Sequence, residues 1–397
     1  MKQISIFIFS LMICTNCFGQ QYSKSWKDLD YGGDEKVYHK MDIYLPQTEK
    51  PTYPVVVVIY GSAWFSNNLK ETVLSSLGKP LLDAGFAIVT PNHRSSTEDA
   101  KFPAQINDIK AVIRFIRANA AKYQIDTSFV GITGFSSGGH LASLAGASGG
   151  VKRYTVGSAT LDIEGNVGQY TSYSSAVNAV VDWFGPIAIS VMDSCKRSKD
   201  AKSPEAILIG GPIEENLDKC ALANPITYID ANDPHFLILH GDADPLVPLC
   251  QSELFFNALQ KANVPGQFVI VPGGQHGPGL FDEKYYKMMT DFFLREANIT
   301  AVTHEVHNSP LNVSVSQNYP NPFNPVTAIT FVLPAKLFVT LVIYDSLGRE
   351  VSKLVYEELP AGTYTREWNA EGLSSGTYFA RLQAGSYIET KKIILVK

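Results

Sequence analysis
Asp126-Thr-Ser-Phe-Val-Gly-Ile-Thr-Gly-Phe-Ser-Ser-Gly-Gly-His-Leu-Ala-Ser-Leu-Ala145 is the stretch on which the reading of this chain turns. Residues 129–133 are a short run with β-branched side chains, the pattern of a buried strand. Gly134-Phe-Ser136-Ser-Gly138 then matches G-x-S-x-G, and residues 140–145 have the composition of a helix start. A serine between two such glycines, at a strand-to-helix corner, is a nucleophile elbow. The corner is strained, and flanking β-carbons would collide with the neighbouring strand and helix. The Ser137 backbone N–H, at the helix start, is then free to face a developing oxyanion. A Gly/Ser-rich loop has the same letters, so the reading depends on a base and an acid that follow in the right order.

Both follow. His240-Gly-Asp242-Ala-Asp244-Pro-Leu-Val-Pro248 comes after a strand expected over 236–240, and Gly273-Gly-Gln-His276-Gly after one over 268–271. The order Ser…Asp…His, each just past a strand end, is that of a Ser-His-Asp triad on an α/β sheet. There His276 takes the proton from Ser136 Oγ and returns it to the leaving group. Asp244 holds the imidazole tautomer and stabilises the imidazolium. Asp242 competes for that role, but Pro245 makes Asp244 the turn residue facing the site. Ser62 and Ala63, just past a strand at 54–60, stand where a second backbone oxyanion donor belongs. Trp64, His93, Tyr170 and Trp183 are candidates to line the pocket. His140 is expected to bond the elbow's backbone, and His240 to bond at a strand end. No His/Asp/Glu spacing suggests a metal.

Around these motifs strands alternate with helices. Residues 37–45 alternate as a half-buried strand, with 26–31 as hairpin partner. The continuous β-branched run at 54–60 marks a strand covered on both faces. A helix is expected at 77–84, a strand at 85–90, and a helix with Ile106, Ile109, Val112, Ile113 and Ile116 on one side. Residues 177–184 add a strand, and 252–262 and 283–297 add helices. The Gly/Ser/Tyr-rich segment 147–175 reads as a loop or lid insertion that shapes the pocket. This alternation predicts an α/β domain with a mostly parallel sheet and its site at the strands' C-terminal ends. From residue 300 the pattern changes. Residues 300–312 are a polar linker, and short apolar runs at 328–333, 339–344, 377–383 and 392–396 predict a small all-β sandwich over 313–397.

A chain of 397 residues has room for both domains. Its 45% hydrophobic and 18% charged residues are those of a soluble globular protein. Its net charge of −5 gives no reason to expect nucleic acid or an anionic membrane as partner. Residues 1–19 read as a secretory signal, with Lys2, an apolar run over 4–13 and cleavage after Gly19 or Gln20. Cys14 and Cys17 lack the small preceding residues of a lipoprotein site. No later stretch approaches the ~18 uninterrupted apolar residues of a membrane span. The first domain thus occupies 20–299. It keeps Cys195, Cys220 and Cys250, enough for one bridge at most; Cys195–Cys220 and three free thiols both stay open.

Gly134-Phe-Ser-Ser-Gly-Gly-His140, Lys101-Phe-Pro-Ala104, Val180-Val-Asp-Trp-Phe-Gly-Pro186, Asn224-Pro-Ile-Thr-Tyr-Ile229 and Gly241-Asp-Ala-Asp-Pro-Leu-Val-Pro248 carry a resemblance. Over 30–300 the chain resembles α/β-hydrolase esterases of the bacterial feruloyl/acetyl-xylan esterase type, near the hormone-sensitive-lipase and prolyl-oligopeptidase-like branches. It departs in the oxyanion loop, where Tyr60-Gly-Ser-Ala-Trp64 replaces the His-Gly-Gly-Gly common in lipases and esterases. The resemblance implies a serine carboxylesterase that works through an acyl-enzyme without a cofactor. Its substrate would be a small ester, or acetyl or feruloyl groups on plant polysaccharide.

Ser316-Gln-Asn-Tyr-Pro-Asn-Pro-Phe-Asn-Pro325, Ile343-Tyr-Asp-Ser-Leu-Gly-Arg-Glu-Val351, Ser375-Gly-Thr-Tyr-Phe-Ala380 and Lys391-Lys-Ile-Ile-Leu-Val-Lys397 resemble the C-terminal sorting domain of type IX secretion. That implies the type IX machinery as partner, and passage through a Gram-negative periplasm to the cell surface or the medium. A carbohydrate-binding sandwich is the alternative for the tail, which has no obvious row of exposed aromatics. Two other functions stay in view for the whole chain. A prolyl-oligopeptidase-like exopeptidase uses the same triad, but too few residues precede the Val55 strand for a gating propeller. A non-catalytic binding protein on a hydrolase scaffold has only the unusual oxyanion loop in its favour.

Overall fold
The structure, a computed structural model, describes residues 22–98, 100–193, 195–196, 200–298, 313–318, 320–333, 336–360, 362–385 and 387–396. The signal at 1–19 and the linker at 300–312 lie outside the described residues. The chain divides into two compact units, Met1–Thr300 and Ala301–Lys397.

In the first unit the strands are β1 (Lys24–Asp30), β2 (Lys40–Leu45), β3 (Tyr53–Ile59), β4 (Ala87–Pro91) and β5 (Ile125–Phe135). They continue with a separate hairpin, β6 (Arg153–Val156) and β7 (Ala159–Asp162), then β8 (Ala179–Trp183), β9 (His235–Gly241) and β10 (Gly266–Val271). Eight of them form one sheet in the order β1-β2-β4-β3-β5-β8-β9-β10, and β2 alone runs against the others. The expected α/β class with a mostly parallel sheet is the observed one.

The run Val55-Val-Val-Val-Ile59 shows why the sheet is covered on both sides. Val55, Val57 and Ile59 enter one core and Val56 and Val58 the other. Into the first core α2 (Ala104–Ala118), α3 (Ser137–Ala147) and α6 (Cys250–Lys261) send Ile109, Val112, Leu141 and Phe255. Into the second, α1 (Lys79–Asp83) and α7 (Glu283–Glu296) send Leu81, Met289 and Phe293. Each such side chain contributes about 1.5–3 kcal/mol by burial. Two short helices, α4 (Pro204–Ile209) and α5 (Leu217–Leu222), precede β9; they carry too few turns to show a period in the sequence. Residues 37–39 make a 3-10 turn before β2, where the alternation had predicted strand.

The 147–175 insertion is fastened to α2. Glu164 takes Arg114 at 2.5 Å, Lys110 at 3.1 Å and the Ser175 hydroxyl at 2.7 Å, while Asn107 Nδ2 donates to Asp162 O and Ile163 O. Lys110 and Arg114 are buried, so one carboxylate shared by two cations is costly to break. Polar pairs anchor this segment, which is why its apolar period was weak.

The second unit has a three-stranded sheet of β11 (Ser314–Val315), β12 (Val326–Leu333) and β15 (Gly362–Asn369). Its other sheet runs β14 (Glu350–Leu359), β13 (Leu337–Tyr344), β16 (Gly376–Ala384), β17 (Tyr387–Leu395). The pairings between these strands are antiparallel, around a core that includes Phe331, Leu341, Trp368 and Leu382. The strands β14 and β15 carry Glu, Lys, Arg and Thr on their outer faces, and the apolar-run criterion passed over them. Among the described residues no helix is long and apolar enough to cross a membrane.

Candidate active site
Strand β5 ends at Phe135 and α3 begins at Ser137, leaving Ser136 as a one-residue corner with φ 55° and ψ −127°. A non-glycine residue held there costs roughly 1–3 kcal/mol and persists only where its surroundings over-determine it. They do. A β-carbon on Gly134 would lie 2.4 Å from Gly138 O, and one on Gly138 would lie 2.4 Å from Ile59 O. The Ser136 N–H donates to Trp183 O at 2.9 Å, tying the corner to β8.

Three loops past strand ends meet at this corner. Ser136 Oγ is 2.9 Å from His276 Nε2, and His276 Nδ1 is 2.8 Å from Asp244 Oδ2. With the Nδ1 proton on the carboxylate side, Nε2 has the lone pair that can take a hydroxyl proton. Asp244 Oδ1 accepts from the Leu246 and Val247 amides at 2.8 and 3.0 Å. Burial would raise the Asp244 pKa, but His240, His276 and those two amides outweigh it and hold the carboxyl well below the usual carboxylate range. His240 Nε2 is 2.9 Å from Val247 O and 3.5 Å from Asp244 Oδ2, so its short bond braces the acid loop through the carbonyl. Asp242 instead accepts from Gly273 N at 2.6 Å, joining the ends of β9 and β10.

Beside this line lies a cavity of about 370 Å³, lined by Ala63, Trp64, Ser136, Ser137 and His276 among others. The amide of Ser137, as the first helical N–H, precedes the first bond of α3 and has no intrahelical acceptor. Of the three oxyanion candidates Ser62 needs correction. Its N–H already donates to Ser137 Oγ at 2.8 Å, which leaves Ala63 and Ser137, both lining the cavity, as the oxyanion candidates.

Three pocket candidates are also corrected. His93 is fully buried and stacked on Tyr60 at 4.8 Å. Trp183 is fully buried against Phe281 and Tyr286. Tyr170 packs edge-on to Phe115 of α2. His93 and Trp183 stand near strand ends and Tyr170 lies in the 147–175 insertion, and packing turns their rings into core or onto a helix. Trp64 does line the cavity, with its ring otherwise buried. His140 does not bond the elbow's backbone through its ring; its nitrogens meet Trp64 and Ala223 O.

What sequence reasoning missed is the far wall: Met192, Asp193, Pro204 and Glu205, from an aperiodic segment. That wall is pinned by a Cys195–Cys250 disulfide, not Cys195–Cys220; Cys220 is a free, buried thiol on α5. Gln251 Oε1 adds bonds from the Ile187 and Ala188 amides at 2.9 and 2.6 Å. The available signal was that Cys250 closes the acid loop, so a partner there would face the site. Replacing both bridge cysteines by serine is expected to lower stability by about 2–4 kcal/mol and to raise KM more than it lowers kcat. Thermal melting and ester kinetics check this; an unchanged KM would mean that the bridge does not shape the wall. Glu205 is buried, which raises its carboxyl pKa, and among the described residues no Lys or Arg lines the cavity beside it. Among the described residues no group of His, Cys, Asp and Glu is arranged to hold a metal ion.

Residues 41–259 match the BD-FAE family, and residues 317–397 match the Secretion system C-terminal sorting domain. The probable carboxylic ester hydrolase LipM of Mycobacterium tuberculosis is 29% identical over 252 residues, covering 63% of this chain and 55% of that protein. The chain thus spans little more than half the length of this relative. A solved truncated form of a carbohydrate esterase from gut microbiota is 52% identical with a TM-score of 0.69, covering 70% of this chain and 98% of that one. A bifunctional GH43-CE protein of Bacteroides eggerthii is 62% identical with a TM-score of 0.68, covering 69% of this chain and 35% of that one.

Proposed function
The chain belongs to the BD-FAE family, and from that premise we propose that its first unit, residues 20–299, is a serine carboxylesterase acting on acyl groups carried by carbohydrate. The observation that carries this is the unbroken line from Ser136 Oγ through His276 to Asp244, with Ala63 and Ser137 lining the same cavity. Ser136 Oγ attacks the ester carbonyl carbon as His276 Nε2 takes its proton. The oxyanion is received by the Ala63 and Ser137 N–H groups. As the tetrahedral adduct collapses, His276 returns the proton to the departing alcohol and an acyl-enzyme remains. Water, activated by the same imidazole, releases the acid. Asp244 stays ionised and stabilises the imidazolium. No step calls for a cofactor.

Two features favour a sugar as the alcohol. Buried Glu205 on the cavity wall is a hydrogen-bonding group for hydroxyls, and a closely similar solved protein is a carbohydrate esterase. Fluorophosphonate labelling at Ser136, followed by turnover of p-nitrophenyl acyl esters, acetyl-xylan and feruloyl-sugar esters, tests the reading. Preferential cleavage of peptide amides would move the protein to the exopeptidases. Absence of labelling would leave a binding protein.

The sandwich over 313–397 we read as an address for the type IX machinery, which takes the protein beyond the periplasm to the surface or medium, with 300–312 as linker. It supplies no residue of the Ser136–His276–Asp244 line. A chain limited to residues 21–300 is therefore expected to keep full-length esterase turnover, while its host, making the form cut after residue 300, retains it in the periplasm. Cell fractionation and ester assays of both forms check this. Collapse of activity would give the sandwich a part in the site, and unchanged export would make it a binding module.

A further inference from the structure
Three stretches singled out in the sequence have no part in the proton path: Ser62-Ala-Trp64, Gly138-Gly-His140 and Ala223-Asn-Pro225. They meet in one buried relay. The Trp64 indole N–H donates to His140 Nδ1 at 3.2 Å, and the two rings lie edge to face at 5.2 Å. His140 Nε2 is 2.8 Å from Ala223 O. An indole can only donate, so Nδ1 must accept, and the one proton of a neutral imidazole sits on Nε2 and goes to the carbonyl. Burial pushes the His140 pKa down to about 4, with the Ala223 carbonyl opposing it, so the ring stays neutral around pH 7. The tautomer is fixed at both ends.

This matters because of the backbone on either side of the Ala63–Trp64 peptide. Ala63 has φ 53° and Trp64 φ 61°, two successive residues in a region that side chains disfavour. Glycines would adopt it freely; Ala and Trp relax out of it unless held. Trp64 O accepts from Ser96 N at 2.9 Å and from Ser96 Oγ at 3.2 Å, and Ser62 N is held by Ser137 Oγ. Those bonds, with the Phe65 N–H donating to Ser62 O at 2.9 Å, hold the main chain around Ala63, and the Trp64 ring is packed in the core with its one polar atom on His140.

We propose that His140 is a positioning residue for the oxyanion site: oriented by Ala223 O, it holds the Trp64 indole and so keeps the strained Ala63–Trp64 turn aimed at the substrate carbonyl oxygen. This rests on the serine-esterase reading above. It accounts for an oxyanion loop that has no glycine at positions 63 and 64, the two with positive φ.

Trp64→Phe removes the N–H and keeps an aromatic ring. Its kcat on p-nitrophenyl acetate is expected to fall ~10- to 100-fold, short of the ~10²–10³ lost when an oxyanion donor is removed outright, with little change in KM. A trifluoromethyl ketone reads the same site: Ser136 Oγ adds to its carbonyl carbon, the proton passes to His276 and the oxyanion faces the two amides. Its affinity should fall by the same factor as kcat. His140→Leu should match Trp64→Phe, and the double variant should be no worse than either. His140→Gln offers one acceptor and one donor and should recover most of the activity. Thermal melting separates these effects from unfolding; if His140→Leu does not fold, Trp64→Phe and His140→Gln decide. An unaltered kcat in Trp64→Phe overturns the inference, as does a fallen kcat with unaltered ketone affinity. An active wild type beside unaffected variants removes this inference alone, whereas a wild type without turnover removes the esterase reading with it.

Discussion

Ser136→Ala is expected to reduce ester turnover by ~10⁴-fold or more while leaving a folded protein. In the proposed mechanism the hydroxyl is the group that bonds to carbon, and its side-chain partner is His276 Nε2. Removing it strands no buried charge. Alanine inherits the backbone strain at φ 55° unchanged, and the anchor from Ser136 N to Trp183 O survives because it is main chain. Ser137 cannot take over: it is buried and its Oγ is committed to Ser62 N. Residual turnover comes from the backbone amides at the cavity. Steady-state kinetics with an acetate ester, and mass spectrometry after fluorophosphonate treatment, measure this. Wild-type turnover, or a label on Ser137, would sink the mechanism.

The second large effect separates two nearby carboxylates. Asp244→Asn should lose ~10³–10⁴ in kcat, and Asp242→Asn should stay close to wild type. At 244 the oxygen that accepts from the Leu246 and Val247 amides is fixed, so an asparagine there turns its NH₂ toward His276 Nδ1. Nδ1 must then accept, the ring proton moves to Nε2, and the base that Ser136 needs is occupied. At 242 an amide oxygen can still accept from Gly273 N. Comparable losses in both variants, or a greater one at 242, would reassign the acid.

Local chemistry was legible in the sequence wherever neighbours in the chain decide it. The elbow is set by glycines within two residues of Ser136, and Asp244 and His276 announce themselves by following short apolar runs. The apolar runs of β3, β5 and β9 gave the sheet for the same reason. What depends on distant partners was not legible. Whether the Ser62 N–H faces substrate is decided by Ser137 Oγ, and Cys195 pairs with Cys250 because the wall segment folds back onto α6. Trp183 and His93 stand near strand ends like true lining residues, yet their rings are turned into the core. In the second unit β14 and β15 were missed because Glu, Lys, Arg and Thr break up their apolar runs.

The place of β10 has a consequence for how activity would fail. It is the last strand of the sheet, held by β9 on one side only, and the loop behind it carries His276. Edge elements open at lower free energy than a core strand such as β3. Under heat or mild denaturant the imidazole is therefore expected to leave Ser136 before the central strands separate, so that loss of ester turnover should precede loss of far-UV circular dichroism. On the way back the sequence reverses. The hydroxyl, at the end of central β5, should be in position early, with turnover returning only when the outermost strand has docked.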